Sequence, residues 1–375
     1  MAARSASVTG FVLLLLLLPV PSSSSHVKLN LRGSVYPDGY IYATMKIGEP
    51  ALEYNLDVDT GSTLTWVQCS VPKTLCNRQC HTWRQQHPLY HLVNLKKLVP
   101  SMDPLCVELV RHPGNPSDKR CGYNLDYVFE STEGYLIRDK FTFSSNEEIE
   151  FFYRRCGYNN YQPGLHGTSP VDGVLGLGRG SSVGLISQLM KENVITKDVI
   201  SHCIRVGAGG FLSIGENMHS SVDTTWVDMG SDDGATYTYF DAESYKMTVN
   251  AVKASLHGSL VEFGDPAMHL CWKGPHIYRS VYEVKPLFKT LSLVFPQQAT
   301  LEIPPENYLM ISRLGNVCFA ILPAAEYHSL GDNNLIGAVT MQDRIVIYDT
   351  EARKIGWAHD LCRTSEPESV IGSRL

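Results

Sequence analysis

The sequence predicts an all-β fold made of two related lobes, and two observations lead to this prediction. First, 30 glycines and 20 prolines accompany many Val, Ile, Tyr and Thr residues, a composition typical of turn-rich β proteins. Second, the stretch Asp59–Val67 recurs as Asp232–Phe240, with Asp, Gly and two Thr at the same spacing. The recurrence indicates a duplicated lobe in which each copy contributes one Asp.

Length and charge set the broad class of the protein. The 375 residues, 43% of them hydrophobic, are enough to bury one large core or two medium ones. The net charge is -6 and the pI about 6.1, with no basic patch. This balance argues against a nucleic-acid partner.

Residues 1–25 have the pattern of a signal peptide. Arg4 precedes the apolar run Phe11–Leu18, and the following Pro19–Ser25 ends in small polar residues. The run is too short for a membrane span, and nothing later in the chain is longer and equally apolar. A signal anchor is the alternative. The pattern predicts a secreted protein or one held in another secretory compartment.

Ten cysteines fit a disulfide-bonded secretory protein, although their spacing does not give the pairing. Five cluster after the first Asp turn and five are scattered. The clustered five are Cys69, Cys76, Cys80, Cys106 and Cys121; the others are Cys156, Cys203, Cys271, Cys318 and Cys362. A zinc site formed by Cys76, Cys80, His81 and His87 is the alternative. An oxidising compartment favours disulfides, so we expect no metal.

Alternating patterns predict two hairpins in the first half of the chain. Tyr40–Gly48 pairs with Leu52–Asp59, and Tyr123–Val128 pairs with Gly134–Phe143. A further apolar strand and a helix follow, over Val171–Gly178 and from about Ser182 to Glu192.

The second half begins abruptly at Asp232. Only Asp228-Met229-Gly230-Ser231 stand where the first lobe has a whole hairpin, so we interpret the second lobe as truncated. A helix is predicted over Ala242–Leu256. The predicted strands are Leu291–Ile303, Tyr308–Ile311, Asn316–Leu322, Leu335–Val339, Arg344–Tyr348 and Lys354–Ala358.

Two glycine-containing motifs imitate those of other enzyme classes. The spacing from Gly176 to Gly180 is similar to a dinucleotide-binding loop, but it does not match that pattern, and no cofactor is expected. Gly180–Gly184 satisfies the G-x-S-x-G pattern of serine hydrolases. That motif needs its serine directly at the end of a strand, whereas Ser182 follows a loose loop.

The two recurring aspartates suit hydrolysis. A carboxylate at the tip of a buried strand is costly unless it is hydrogen-bonded, so its ionisation is open to tuning. Two carboxylates that share one proton can hold a water molecule between them and drive acid–base hydrolysis.

With these motifs the chain resembles the pepsin-like aspartic proteases, most closely the plant nucellin-like branch, from about Gly39 to Cys362. The matching motifs are Asp59-Thr60-Gly61-Ser62, Tyr127, Asp172–Gly176, Asp232–Phe240 and Leu335-Ile336-Gly337. The resemblance implies a bilobal double β-barrel with a cleft between the lobes. It implies an N-terminal lobe over residues 38–222 and a shortened C-terminal lobe over 223–366.

The resemblance also assigns site residues. Asp59 and Asp232 are the expected catalytic pair, and Tyr127 is expected on a flap that closes over a peptide. The remaining substrate-binding residues that it implies are Thr60, Gly61, Asp233 and Gly234.

Position 233 departs from the family, which has Thr or Ser there. Asp233 only accepts hydrogen bonds when ionised, and it adds a third negative charge beside the pair. Two hypotheses therefore stand. The chain is a monomeric secreted endopeptidase that acts on peptides or proteins, with no cofactor, nucleic acid or stable membrane span. Alternatively, it is a catalytically impaired relative that binds a protein or peptide.

Overall fold

The computed structural model describes residues 26–68, 88–91, 94–109, 119–126, 131–143, 148–155, 171–217, 223–230, 235–256, 258–326, 330, 333–359 and 362. Most regular structure in this part of the chain is β. The strands of the first half are β1 Val27–Ser34, β2 Tyr40–Ile47, β3 Leu52–Asp59, β4 Trp66–Val67, β5 Gly122–Asp126, β6 Ser131–Thr142, β7 Glu148–Arg155, β8 Gly173–Gly176, β9 Val199–Ile204 and β10 Gly210–Ile214.

The second half contributes shorter strands and most of the helical residues. Its strands are β11 Thr225–Asp228, β12 Thr238–Phe240, β13 Val261–Glu262, β14 Cys271–Lys273, β15 Leu291–Val294, β16 Thr300–Ile303, β17 Leu309–Ile311, β18 Val317–Phe319, β19 Ile321–Pro323, β20 Arg344–Asp349 and β21 Lys354–His359. The helices of both halves are α1 Pro104–Leu109, α2 Leu185–Lys191, α3 Ala242–Ser255 and α4 Val281–Val284.

One thirteen-stranded sheet organises the molecule, in the order β11-β21-β20-β9-β10-β1-β2-β3-β8-β4-β7-β6-β5. Its centre is the predicted first hairpin, in which Tyr42 faces Asp57 and Ile47 faces Leu52. Burial alternates along β2, as expected for a strand with one face on the core. The sheet also takes in β11, β20 and β21, so it joins the two halves of the chain.

Smaller sheets build the rest of the second lobe. β12 pairs with β19 in parallel, β13, β14, β18 and β17 form a four-stranded sheet, and β15 and β16 form a hairpin. Helix α3 begins after Asp241, whose carboxylate accepts from the N–H groups of Glu243 and Ser244. Such a cap satisfies donors that the first turn of a helix leaves unpaired.

Two hydrophobic cores underlie the two lobes. The larger one collects the inner faces of β1, β2 and β3 with α2, and it extends to Tyr239 and Val339 of the second half. The other surrounds Trp272, Phe319 and Tyr308, which are all less than 3% exposed. The bilobal all-β fold expected from the sequence is confirmed.

Three disulfides link the six cysteines in the described part of the chain. Cys106 pairs with Cys121, Cys271 with Cys318, and Cys203 with Cys362. The expectation of disulfide bonding is thus confirmed for these residues. The proposed zinc ligands Cys76, Cys80, His81 and His87 lie outside the described residues.

The signal-peptide region also lies outside the described residues. Within the described part of the chain, no helix has the length and apolar character that crossing a bilayer requires.

Candidate active site

The Asp59 turn is fixed by backbone hydrogen bonds on both sides. Strand β3 ends at Asp59 and runs parallel to β8, with Asp59 opposite Gly176. The Leu177 N–H donates to the Asp59 carbonyl over 2.8 Å. The Gly61 N–H donates to Asp59 Oδ1, also over 2.8 Å, so the carboxylate is held by its own turn. The Asp59 side chain is half-buried, and Gly61 is exposed.

Strand β8 passes directly beneath this turn. The Gly176 N–H donates to Thr65 Oγ1 over 3.2 Å, and the Gly178 N–H donates to the Ser62 carbonyl over 2.8 Å. A Cβ atom at Gly176 would lie 2.5 Å from the Leu64 nitrogen, closer than van der Waals contact allows. Glycine is therefore required where the two backbones meet.

The second lobe repeats this arrangement. The Gly337 N–H donates to Thr238 Oγ1 over 3.0 Å, and a Cβ atom at Gly337 would lie 2.1 Å from the Tyr237 carbonyl oxygen. Tyr239 and Leu335 exchange two backbone hydrogen bonds of 2.8 and 2.9 Å.

The sequence spacing is the same in both lobes. Thr65 and Thr238 each lie six residues after the aspartate of their turn, Asp59 or Asp232. In the first lobe β4 pairs with β8, with Trp66 opposite Val174, as Tyr239 is opposite Leu335 in the second. Two separate parts of the chain thus build the same glycine–threonine contact.

The lobes differ in the strand that lies beside the segment carrying the contact glycine. In the first lobe β3 lies beside β8, whereas β11 ends at Asp228 and pairs with β21 instead. Among the described residues, no strand takes the place of β3 beside Leu335 and Ile336. Both side chains are only half-buried, whereas their counterparts Val174 and Leu175 are 9% and 0% exposed.

The strand predicted over Leu335–Val339 is wrong except at Leu335, which forms a single bridge. The Ala338 and Val339 N–H groups instead donate to the carbonyls of Ala235 and Thr236, both over 2.9 Å. In the first lobe Gly178, which corresponds to Val339, likewise donates to the Ser62 carbonyl, so the chain leaves the strand direction after the contact glycine in both lobes.

Arg179 links the first lobe to the segment that leads to Asp232. Its guanidinium donates to the Gly230 carbonyl over 2.8 Å and contacts the Met229 sulfur at 2.6 Å. Arg179 directly follows Gly178, which is bonded to Ser62 in the Asp59 turn. The chain two residues before Asp232 therefore lies close to the first turn.

Several expected site residues cannot be positioned. Asp232, Asp233, Gly234 and Tyr127 lie outside the described residues, so their contacts stay predictions. The hairpin expected around Tyr127 is present: β5 and β6 are paired up to Asp126 opposite Ser131.

The described residues do not support the serine-hydrolase alternative. The Ser182 hydroxyl donates to the Glu108 carboxylate at the surface rather than to a histidine base. This hydrogen bond holds the pKa of Glu108 below its usual value. The described residues bring together Asp265, Cys271 and Cys318, but the two cysteines form a disulfide and cannot bind a metal as thiolates.

Two polar side chains on the neighbouring strands β9 and β20, the buried His202 and the partly buried Tyr348, have no signal in the sequence. The Tyr348 hydroxyl on β20 donates to Met341 Sδ over 3.4 Å. The Tyr348 hydroxyl also lies 3.3 Å from His202 Nε2 on the neighbouring β9. Burial lowers the pKa of His202 to about 4 and raises that of Tyr348 to about 12.

Comparison with known proteins decides the family. A model described as xylanase inhibitor N-terminal matches residues 41–216, and one described as xylanase inhibitor C-terminal matches residues 204–359. An aspartic proteinase of rice, Oryza sativa subsp. japonica, is 41% identical over 424 residues, covering 100% of both chains. The chain belongs to the pepsin-like aspartic proteases of plants. The predicted family is confirmed.

Solved structures agree with the fold of this pepsin-like family member. The chain is similar to edgp, with a TM-score of 0.64, 14% identity and coverage of 90% of this chain and 95% of edgp. It is also similar to conglutin gamma from lupine seeds, with a TM-score of 0.60, 15% identity and coverage of 88% and 94%.

The rice alignment is longer than this chain. Its 424 positions exceed the 375 residues of this chain by 49, so the rice protein has at least that many residues opposite gaps in this chain. A hairpin such as β2–β3 falls well within that number.

Proposed function

We propose that this chain is an aspartic endopeptidase of the secretory pathway whose second half-site is impaired. The observation that supports it most is the repeated contact of Gly176 with Thr65 and of Gly337 with Thr238. Each contact anchors the strand that leaves an Asp turn. The family relation, the three disulfides and the predicted signal peptide agree with the proposal.

In the proposed mechanism, Asp59 and Asp232 share one proton and hold a water molecule between them. The ionised carboxylate takes a proton from this water as its oxygen attacks the peptide carbonyl, and the protonated carboxyl donates to the developing oxyanion. Tyr127 closes over the peptide from the β5–β6 hairpin. Gly61 and Gly234 let the peptide backbone approach because they have no Cβ atom.

The proposed impairment has two sources. Asp233 replaces a neutral donor with an acceptor, and its charge disfavours the singly ionised pair. Among the described residues no counterpart of β3 lies beside Leu335 and Ile336, so this part of the chain offers no such strand to position Asp232. Loss of one oriented hydrogen bond at a catalytic centre costs roughly 100- to 1,000-fold in rate. We therefore expect weak cleavage, confined to acid pH.

Asp59→Asn tests the proposal most directly. The full chain is assayed with fluorogenic peptides from pH 3 to 7, beside Asp59→Asn and the exposed control Asp223→Asn. We expect Asp59→Asn to remove any cleavage, a loss on the order of 100- to 10,000-fold for an acid–base group, while Asp223→Asn keeps it. Cleavage that survives Asp59→Asn would show that the turn is not catalytic.

The partly buried apolar side chains of Leu335 and Ile336 favour a second candidate, a peptide-binding protein without turnover. This function predicts no hydrolysis at any pH, together with peptide binding that Asp59→Asn leaves unchanged. Isothermal titration with a pool of extended apolar peptides separates it from the endopeptidase.

A further inference from the structure

The chain that leads to the second aspartate is held from two sides. Strand β11 ends at Asp228, and Met229 and Gly230 are the last described residues before Asp232. On one side β11 pairs with β21, and the Met229 N–H donates to the Arg353 carbonyl over 2.9 Å. This side of the segment is therefore fixed within the second half of the chain.

The hold on the other side comes from the first lobe. The guanidinium of Arg179 donates to the Gly230 carbonyl over 2.8 Å and lies 2.6 Å from the Met229 sulfur. A carbonyl oxygen is a better acceptor than a thioether, and a charged donor makes a stronger hydrogen bond than a neutral one. The bond to the Gly230 carbonyl is therefore the main contact between this side chain and the segment.

The backbone of Arg179 is itself bonded to the Asp59 turn. Arg179 directly follows Gly178, whose N–H donates to the Ser62 carbonyl over 2.8 Å. A Cβ atom at Gly178 would lie 3.0 Å from the Ser62 backbone, so the two segments are in close contact there. The next residue, Gly180, has a φ of 84°, which favours glycine and turns the chain away. Arg179 therefore reaches the second lobe from a fixed position beside the first turn.

In the first lobe a strand takes this positioning role. β3 runs parallel to β8 up to the pair formed by Asp59 and Gly176. In the described part of the second lobe, β11 pairs with β21 instead, and Arg179 bonds to the segment that continues from it. Gly230 precedes Asp232 by two residues, so covalent geometry keeps their Cα atoms within about 8 Å of each other.

We propose that Arg179 is a positioning residue for Asp232: anchored beside the Asp59 turn, its guanidinium holds the segment that delivers the second carboxylate. The proposal rests on the catalytic role of Asp232 proposed above. It explains why a charged side chain of one lobe donates to a backbone carbonyl of the other at this point. A side-chain hydrogen bond here takes over part of the task that β3 performs in the first lobe.

The test uses Arg179→Gln and Arg179→Lys in the full-length protein. Lysine keeps a charged donor, whereas glutamine is neutral and shorter. Arg344→Gln is the matched control, because the Arg344 guanidinium also donates to a backbone carbonyl, that of Glu302, over 2.9 Å, within the second half of the chain. The first readout is hydrogen exchange of residues 226–239, measured by mass spectrometry, and it does not depend on turnover.

We expect exchange over residues 226–239 to become roughly tenfold faster in Arg179→Gln, because one hydrogen bond of the segment is lost. Arg179→Lys should keep most of the protection, and Arg344→Gln should leave this segment unchanged. Exchange that Arg179→Gln does not accelerate there would overturn the proposal. So would an equal acceleration throughout the chain, because that result would indicate a general loss of stability.

The second readout is the carboxyl carbon resonance of Asp232 in protein labelled with ¹³C-aspartate, assigned with Asp232→Asn. Arg179→Gln should shift this resonance, Arg179→Lys should shift it less, and Arg344→Gln should leave it in place. A resonance that Arg179→Gln does not move would contradict a role for Arg179 at Asp232. Both readouts apply whether or not the chain cleaves peptides, so a failure of the proposed function is recognised separately.

Where cleavage is measurable, steady-state kinetics is the third readout. Arg179→Gln should lower kcat roughly tenfold with KM unchanged, because the bond places a carboxylate rather than binding the peptide. Arg179→Lys should restore most of the lost kcat. A change in KM alone would contradict a positioning role.

Discussion

The backbone N–H of Gly337 donates to the hydroxyl of Thr238 over 3.0 Å. Thr238 Oγ1 also lies 2.7 Å from Thr340 Oγ1, which is 3.3 Å from the Asn307 carbonyl oxygen. The corresponding contact in the first lobe, Gly176 with Thr65, is supported by the parallel pairing of β3 with β8. The second turn therefore depends on side-chain hydrogen bonds where the first has a strand.

Thr238→Val should accordingly cost more stability than Thr65→Val. Thr238→Val removes the hydrogen-bond acceptor of the Gly337 N–H and one of the hydrogen bonds of the Thr340 hydroxyl. It should lower the free energy of unfolding by about 2 kcal/mol, whereas Thr65→Val should lower it by about 1 kcal/mol. Urea unfolding of both variants measures the difference. Equal losses would show that the strand β3 contributes nothing to the first contact.

The contact glycines should tolerate no side chain. Gly337→Ala and Gly176→Ala place a Cβ atom 2.1 and 2.5 Å from backbone atoms, so each should cost about 3 kcal/mol or prevent folding. Gly264→Ala is the control, because a Cβ there has no atom within 4 Å. Soluble yield and thermal melting report the outcome. A Gly337→Ala protein as stable as Gly264→Ala would contradict the repeated arrangement.

Much of the fold was predictable because hairpins and helices are formed by residues that are close in the sequence, and their hydrophobic patterns are visible over the same short range. The hairpin of β2 and β3 follows from alternation, and α3 follows from its periodicity and from Asp241 as a cap. Strand β1, Val27–Ser34, was not predicted. It pairs with β2 and with β10, whose partner residues begin at Gly210, almost 180 residues further along the chain.

The candidate site was predictable only in part. The Asp59 turn and the role of Gly176 and Gly337 follow from motifs. The contact of His202 with Tyr348 joins residues 146 positions apart, and no short-range pattern indicates it. The turn after Leu335 was missed for a related reason, since it depends on hydrogen bonds from Ala338 and Val339 to Ala235 and Thr236, which are distant in the sequence.

The buried His202 should make the protein less stable in acid. Its pKa of about 4 lies below the usual value of 6.5, so between these values the unfolded chain binds more protons than the folded one. Stability should fall by about 3 kcal/mol as the pH drops from 6.5 to 4, and this contribution should change no further below pH 4.

His202→Gln removes the titrating group and keeps an N–H donor, so this part of the pH dependence should disappear. His276→Gln, at a side chain that is 63% exposed, controls for the loss of an imidazole. Unfolding free energies from pH 4 to 7 provide the comparison. An unchanged slope in His202→Gln would mean that other groups govern acid stability.

The disulfides should differ in their contribution to stability. Cys203 and Cys362 are 159 residues apart, whereas Cys106 and Cys121 are 15 apart. Loop entropy predicts about 5 kcal/mol for the first disulfide and about 3 kcal/mol for the second. Replacing each pair by alanines and comparing the unfolding free energies tests this order. A larger loss for Cys106 and Cys121 would contradict the entropic account.

The central claim is an aspartic endopeptidase with an impaired second half-site, and peptide hydrolysis from pH 3 to 7 tests it most directly. Three proteins are compared: the native chain, a restored form with Asp233→Ser and a hairpin equivalent to β2–β3 inserted before Asp232, and this restored form with Asp59→Asn. We predict weak cleavage by the native chain. The restored form should cleave below about pH 5, where one carboxyl stays protonated, and Asp59→Asn should abolish that activity. A restored form that cleaves nothing at any pH, or full activity in the native chain, would contradict the account.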